Sequence, residues 1–244
     1  MLKIGLRGRA IFISVIVFII VGTVSLGLIY QLSRSIALTL SKEYALERVL
    51  NSKEKLSSTL ALNLRLAQKI TSGLILTRWM KDEDNVSAKT RALRLIGDSM
   101  EVSQADSWFV AMKESKHYYF DDKQKRFSGK ERLKTLQPNM PEDAWFFHTL
   151  DANTSYHFNT DYDSSINATK FWLNMIVKDG EESLGVAGFG IDFKQFIDDY
   201  VVLDKEGFES IIINPQGVIV GHRDSSLVTY NINTIDPKEW KTIW

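Results

Sequence analysis

Residues 170–191 read KFWLNMIVKDGEESLGVAGFGI. Two apolar runs flank Asp179-Gly180. A D-G pair in that position is a strong hairpin signal, because glycine supplies the positive φ of a tight turn. Successive strand side chains point to opposite faces. Phe171, Leu173, Met175 and Val177 therefore share one face, and Trp172, Asn174 and Ile176 the other. In the second run Val186, Gly188, Gly190 and Asp192 share a face. Two glycines there either admit a close backbone or ligand approach or ease strand twist.

Working outward, Ser107–Met112 and His117–Phe120 also read as strands. After the hairpin comes a short helix, FKQFIDDYV, then strands at 209–213 and 218–220 around the turn Asn214-Pro-Gln-Gly217. The expectation is an α+β fold with a five- or six-stranded antiparallel sheet, its last four strands a meander from 170 onward. DDKQKRFSGKERLK, from Asp121 to Lys134, reads as a solvated loop. Residues 142–163, EDAWFFHTLDANTSYHFNTDYD, combine six aromatics with five acids and no Lys or Arg. This stretch is expected to form a helix-and-loop lid over the sheet, with Trp145 and Tyr156 as walls and Asp161 at the rim.

The N-terminal part is different in kind. Residues 10–33, AIFISVIVFIIVGTVSLGLIYQLS, carry no charge. About 20 such residues suffice to cross the hydrocarbon core as a helix. Lys3, Arg7 and Arg9 precede the run, which by the positive-inside rule puts residues 1–9 in the cytoplasm. The run exceeds the roughly 7–15 residues of a signal-peptide core. Arg34 also separates it from the cleavage-like Ser35-Ile36-Ala37, so an uncleaved anchor is expected. Residues 34–82 then repeat apolar positions (Leu46, Leu50, Leu56, Leu60, Leu64, Ala67, Ile70, Leu74) at mostly three- and four-residue steps. This predicts one long helix for signalling and dimerisation, a break near 82–86 and a second helix through about Gln104.

Composition narrows the function. With no cysteine there is no disulfide framework or thiolate metal site. Beyond residue 34 the chain has 26 basic against 30 acidic residues, which argues against nucleic-acid binding. No hydrolase, nucleotide-binding or zinc motif occurs, so no catalysis and no cofactor are expected. Asn159-Thr-Asp161-Tyr-Asp163 begins like a calcium loop. It then has Ser164 where glycine makes the turn and Lys170 where a bidentate Glu is needed, so no metal is expected either. What remains is a small-molecule pocket of aromatic walls with a few polar groups.

Several segments together resemble the Cache sensor domains of bacterial chemoreceptors, histidine kinases and diguanylate cyclases. They are Asp143-Ala-Trp145-Phe146-Phe147, Tyr156, Thr169 to Asn174, Leu184 to Asp192, and Ile213 to His222. The resemblance runs from about 35 to 230. It implies a PAS-like extracytoplasmic fold with a ligand pocket on the outer face of the sheet. In the amino-acid-binding branch, an Arg-x-Trp-Tyr/Phe motif holds the ligand carboxylate and a later Asp holds its amine. Here Trp145-Phe146 match the aromatic pair and Asp192 fits the Asp, but Asp143 stands where the Arg belongs. The resemblance thus implies a site of Trp145, Phe146, Tyr156, Asp161, Trp172, Asn174 and Asp192 that favours a cation or amine.

The implied protein is a single-pass, homodimeric receptor of the bacterial inner membrane, with its sensor domain (83–230) in the periplasm and its homodimer contact along the long helix. Residues 231–244 are expected to lead towards a second membrane helix and a cytoplasmic output beyond this chain. The rival expectations are an anchored protein-interaction module without a small ligand and an anchored enzyme.

Overall fold

The computed structural model describes residues 6–152, 154–200, 210–214, 216–227 and 230–234. The chain forms two compact units, Met1–Asn51 and Ser52–Trp244. Helix α1, Leu6–Thr71, begins in the first and ends in the second. Its N-terminal part contains an 18-residue window with a mean hydropathy of 2.7, none of it buried. Phe18 is 80% exposed and Ile19 57%. A core helix would hide such residues, so this segment has the length and surface of a membrane-spanning helix. The expected segment 1–9 lies in α1 from Leu6 onward; residues 1–5 lie outside the described residues.

The helix expected over 34–82 is interrupted. It stops at Thr71 and restarts as α2, Leu74–Lys81. The Thr71 and Ser72 hydroxyls donate to the carbonyls of Ala67 and Gln68 at 2.9 and 2.7 Å. Gly73 then turns extended, with ψ 139°. Hydroxyls that compete for helix carbonyls, followed by a glycine, are a local recipe for a stop. The second break falls where expected. Asn85 caps α3, Val86–Val102, by accepting from the Ala88 amide at 3.0 Å.

The main sheet has six antiparallel strands in the order β3-β2-β1-β6-β5-β4. They are β1 Ser107–Met112, β2 His117–Asp122, β3 Arg132–Thr135, β4 Tyr156–Asp163, β5 Ala168–Asp179 and β6 Glu182–Asp192. The β5–β6 hairpin closes through Gly180, at φ 61°, and Glu181, with Asp179 opposite Glu182. Positive φ at the first turn residue alone is the type II′ arrangement that suits strand twist.

Three expectations need correction. Residues 132–135 are not loop but the edge strand β3, paired to β2 around a register shift at Tyr118/Tyr119. Residues 156–163 are not lid but β4, paired along its whole length with β5. The segments near 212 and 219 do not extend the main sheet: β7 Ile212–Ile213 and β8 Ile219–Gly221 make a separate two-stranded sheet. Two-residue pairing leaves too little ladder to continue a meander. Residue 209 and residues 235–244 of the expected C-terminal segment lie outside the described residues.

Both faces of the sheet are covered. On one, Ala67 and Ile70 of α1, Trp79 of α2 and Ala92 and Ile96 of α3 pack on Trp108, Val110, Leu173, Met175 and Phe189. Helix α5, Phe193–Tyr200, joins them through Phe196 and Ile197. Its Tyr200 hydroxyl reaches Thr59 of α1 at 2.9 Å and Gln104 at 3.0 Å, tying three separate segments together. On the other face, Phe146 of α4, Ala144–Asp151, packs with Leu136 on Phe109, Phe120, Trp172 and Val186.

The glycines of β6 serve protein packing. A Cβ on Gly188 would lie 1.8 Å from the Leu173 carbonyl oxygen and 3.0 Å from the Phe109 ring. A Cβ on Gly190 would lie 2.7 Å from the Trp172 indole. The room above β6 is filled by the protein's own rings. Gly188→Ala is therefore expected to destabilise the fold by about 3 kcal/mol, as overpacking against rigid backbone does. Gly97→Ala in α3, where nothing lies within 4 Å of the added Cβ, is expected to stabilise by about 0.5–1 kcal/mol. Thermal denaturation followed by tryptophan fluorescence distinguishes the two.

Candidate functional site

The alternation of β4 and β5 builds one wall of a cleft. Asn159 lies opposite Trp172, His157 opposite Asn174 and Asp161 opposite Lys170. Asn159, Asp161 and Asp163 therefore project to the same face as Trp172 and Asn174. The facing wall is α4 with the single 3-10 turn before it, Pro141–Asp143. Trp145 and Glu142 from that wall, with Lys134 of β3, complete the cleft. Mouth included, it encloses about 410 Å³. Its enclosed part is only about 20 Å³, close to the roughly 10–15 Å³ that one water needs.

The floor is aromatic. Phe109 of β1 meets Trp145 edge-on at 5.3 Å and Trp172 edge-on at 5.4 Å. Tyr118 of β2 approaches Trp145 at 6.0 Å. These edge-to-face contacts fix both indoles, each worth about 0.5–1.5 kcal/mol beyond burial. The Tyr118 hydroxyl donates to Asp163 Oδ2 at 2.9 Å. Burial, with Asp163 beside it, pushes the Tyr118 phenol well above its ordinary value, so it stays a donor.

The carboxylates differ in what they are free to do. Asp143 is buried: its Oδ2 accepts from the Gln137 amide at 2.8 Å and its Oδ1 pairs with Lys134. That pair ties β3 to the turn before α4 and neutralises the cation that lines the cleft. Asp163 holds Tyr118 and the Ser165 amide. Asp161 uses one oxygen to accept from the Tyr162 amide at 2.9 Å, and among the described residues no donor reaches the other. Burial raises the Asp161 carboxyl above its ordinary value, with Asp163 adding to the rise and the Tyr162 amide opposing it.

Of the residues expected from the sequence, Trp145, Asp161, Trp172 and Asn174 converge on this cleft. Three do not line it. Phe146 is buried behind Trp145, against Phe147. Tyr156 projects from the opposite face of β4, where it meets Phe158 at 5.9 Å. Asp192 sits at the end of β6 and accepts from the Gln195 amide at 3.0 Å, capping the first turn of α5. The sequence reading missed Phe109, Tyr118, Lys134, Glu142, Asn159 and Asp163, among others. The period-two pattern of 156–163 carries the signal for Asn159 and Asp163; nothing local marks Lys134.

A carboxyl raised by burial makes ionisation costly in the folded state. The unfolded chain then holds fewer protons than the folded one between the two titrations, so stability falls as pH rises from about 3.8 through the raised folded value. Asp161→Asn keeps an oxygen for the Tyr162 amide and removes this cost. It is expected to raise the ligand-free Tm at neutral pH, the gain shrinking to nothing towards pH about 3.8; Tm against pH for both proteins tests it.

No protein-family profile matches the chain, and no curated protein sequence is similar to it. Solved structures are. The sensor domain of the V. cholerae histidine kinase DctB is 11% identical over 81% of this chain and 72% of its own, with a TM-score of 0.55. The ligand-binding domain of the Pseudomonas fluorescens chemoreceptor CtaA, in complex with L-serine, is 13% identical over 78% of this chain and 76% of its own, at 0.57. That of the Pseudomonas aeruginosa PAO1 amino acid chemoreceptor PctB, in complex with L-Arg, is 14% identical over 81% and 71%, at 0.59. The α+β architecture, a six-stranded antiparallel sheet covered by helices, is the Cache-type sensor-domain fold of chemoreceptors and histidine kinases.

Proposed function

We propose that this chain is a membrane-anchored extracytoplasmic sensor whose cleft binds a small ligand through a primary ammonium group. The observation that carries the reading is Asp161: a half-buried carboxylate that accepts from only one donor among the described residues, in a cleft walled by Trp145 and Trp172. An ammonium gains an ion pair from such a group and cation–π attraction from indole faces. Glu142 and Asp163 add negative charge, whereas Lys134 is already paired with Asp143. Serine and arginine, named with the similar chemoreceptor domains, both carry a primary ammonium group.

In this reading residues 10–33 anchor the chain in the bacterial inner membrane. The basic residues before the span support a cytoplasmic N-terminus and a periplasmic sheet domain. Residues 34–82 relay occupancy, and residues 83–230 sense. Leu46, Val49 and Leu50, each more than half exposed, support pairing of two copies along α1. A ligand biases such a device only by binding one helix arrangement better than the other. The segment binds and does not catalyse.

The test is a thermal-shift series on the full chain in detergent, with 1,4-diaminobutane, 4-aminobutyrate, L-arginine and the amine-free succinate. At a hundredfold excess over Kd, binding adds about 2.7 kcal/mol, or a Tm rise of roughly 5–10 °C at this size. The amines are expected to stabilise and succinate not to, with Asp161→Asn losing the rise. Stabilisation by succinate alone would overturn the ammonium reading. A flat response to every compound would favour the interaction-module reading.

A further inference from the structure

Behind the cleft, three side chains form a hydrogen-bond chain whose polarity is set at one end. The Asn174 amide nitrogen lies 2.6 Å from Asn159 Oδ1 and 3.2 Å from His157 Nε2. One nitrogen with two hydrogens serves both, so each contact is a donation by Asn174. His157 Nε2 must then be the bare nitrogen of a neutral ring. Thr149 of α4 lies 3.4 Å from the same Nε2, but its hydroxyl proton is already given to the Trp145 carbonyl at 2.6 Å. Thr149 is therefore available to His157 only as an acceptor. Asn174 is 2% exposed, so no bulk water can repair a lost bond there.

We propose that His157 is a positioning residue that inverts the Asn174–Asn159 amide pair when it takes up a proton, and thereby switches which ligand end group the cleft prefers. Protonated Nε2 faces the Asn174 NH2 group donor to donor, which is repulsive, while Thr149 accepts the new N–H. Asn174 relieves the clash by rotating its amide so that its oxygen faces the imidazolium. That brings its oxygen against Asn159 Oδ1, acceptor to acceptor, and Asn159 must rotate in turn. Asn159 and Asn174 both line the cleft. With His157 neutral, the amide hydrogens of Asn159 not used by the pair are available to a ligand acceptor. With His157 protonated, the Asn159 oxygen takes their place and suits a ligand donor.

The surroundings keep the switch responsive to His157 alone. Helix α4 carries His148 and Asp151, β4 carries Asp161 and Asp163, and β5 carries Lys170 and Lys178. None of them displaces the imidazole's titration; burial does, and it lowers the value below the ordinary 6.5. The transition therefore falls below pH 6.5. The sign is that of a histidine buried neutral. The unfolded chain binds the proton more readily, so this site's contribution to stability is present at neutral pH and is lost as pH falls from about 6.5 through the lowered folded value.

The inference rests on the cleft being a ligand site, and two readouts keep the ideas separate. The first needs no ligand: side-chain amide NMR of the 15N-asparagine-labelled full chain in detergent between pH 5 and 8. The Asn174 and Asn159 NH2 signals are expected to move together, with the midpoint of the His157 ring. In His157→Gln, whose amide oxygen is a permanent acceptor, they are expected to stay in place at their neutral-pH positions. Amide signals that ignore the His157 titration overturn the proposal, whether or not anything binds.

The second readout compares two probes that share an ammonium and differ at the far end, 4-aminobutyrate and 1,4-diaminobutane; neither end group titrates in this range. Acidification is expected to shift the ratio of their affinities about tenfold towards the diamine, the equivalent of one hydrogen bond, and His157→Gln to abolish the shift. Through-space repulsion by the imidazolium would move the ratio the other way, so a shift towards 4-aminobutyrate also overturns the proposal. If neither probe binds while the amide signals still invert, the ligand reading fails and the switch stands.

Discussion

The close approach of β5 and β6 is the constraint on which the rest of this domain depends. Gly188 has no space for even a methyl group, because the Leu173 carbonyl oxygen would lie 1.8 Å from it. Gly190 is occupied in the same sense by the Trp172 indole. With no side chains of its own at these positions, β6 lets Trp172 from β5 and Phe109 from β1 lie over it. Those two rings are the floor of the cleft and part of the second core. Architecture and site thus share one cause: two absent side chains in the middle of the sheet.

The sheet has two covered faces with different tasks. The face under α1, α2, α3 and α5 is apolar at its centre, with His117 and the Tyr119 hydroxyl bound to Glu83 at its β2 side. The other mixes aromatics with amides and carboxylates, each assigned a partner: Asp143 to Lys134, Asp163 to Tyr118, Asn174 to Asn159 and His157. Buried polar groups are costly unless satisfied. Asp161 differs in that, among the described residues, a donor reaches only one of its oxygens. The Tyr200–Thr59–Gln104 contact joins α5 to α1 and to the residue stretch after α3.

Much of this was legible in the chain. The hairpin at Asp179-Gly180, the faces of β5 and β6, and the apolar span all rest on neighbours a few residues apart. The stretch 156–163 shows where such reading slips. Its acids at alternate positions resemble the start of a calcium loop, yet the alternation is that of a strand: Tyr156, Phe158 and Thr160 to one side, His157, Asn159 and Asp161 to the other. Reading it as a lid put Tyr156 in the cleft and left Asn159 and Asp163 out. Asp192 was misread for a related reason. Its strand face is the expected one, but the chain turns into α5 immediately after it, and a carboxylate at a helix start is used by the backbone amides there.

Local pattern determined the types of most elements, β3 and β4 excepted, the buried faces of β5 and β6 and the membrane-length helix, because periodicity and turn chemistry are properties of adjacent residues. Tertiary structure decided everything that depends on groups far apart in the chain. It chose β4 and β3 as the two edges of the sheet and moved β7 and β8 out of it. It gave Asp143 a lysine from another strand, so that a substitution at the expected Arg position became a structural ion pair. It also decided which carboxylate is half-buried beside the indoles, with its carboxyl raised above the ordinary value. Desolvation is set by what packs around a group, and no spacing within 244 residues of sequence states that.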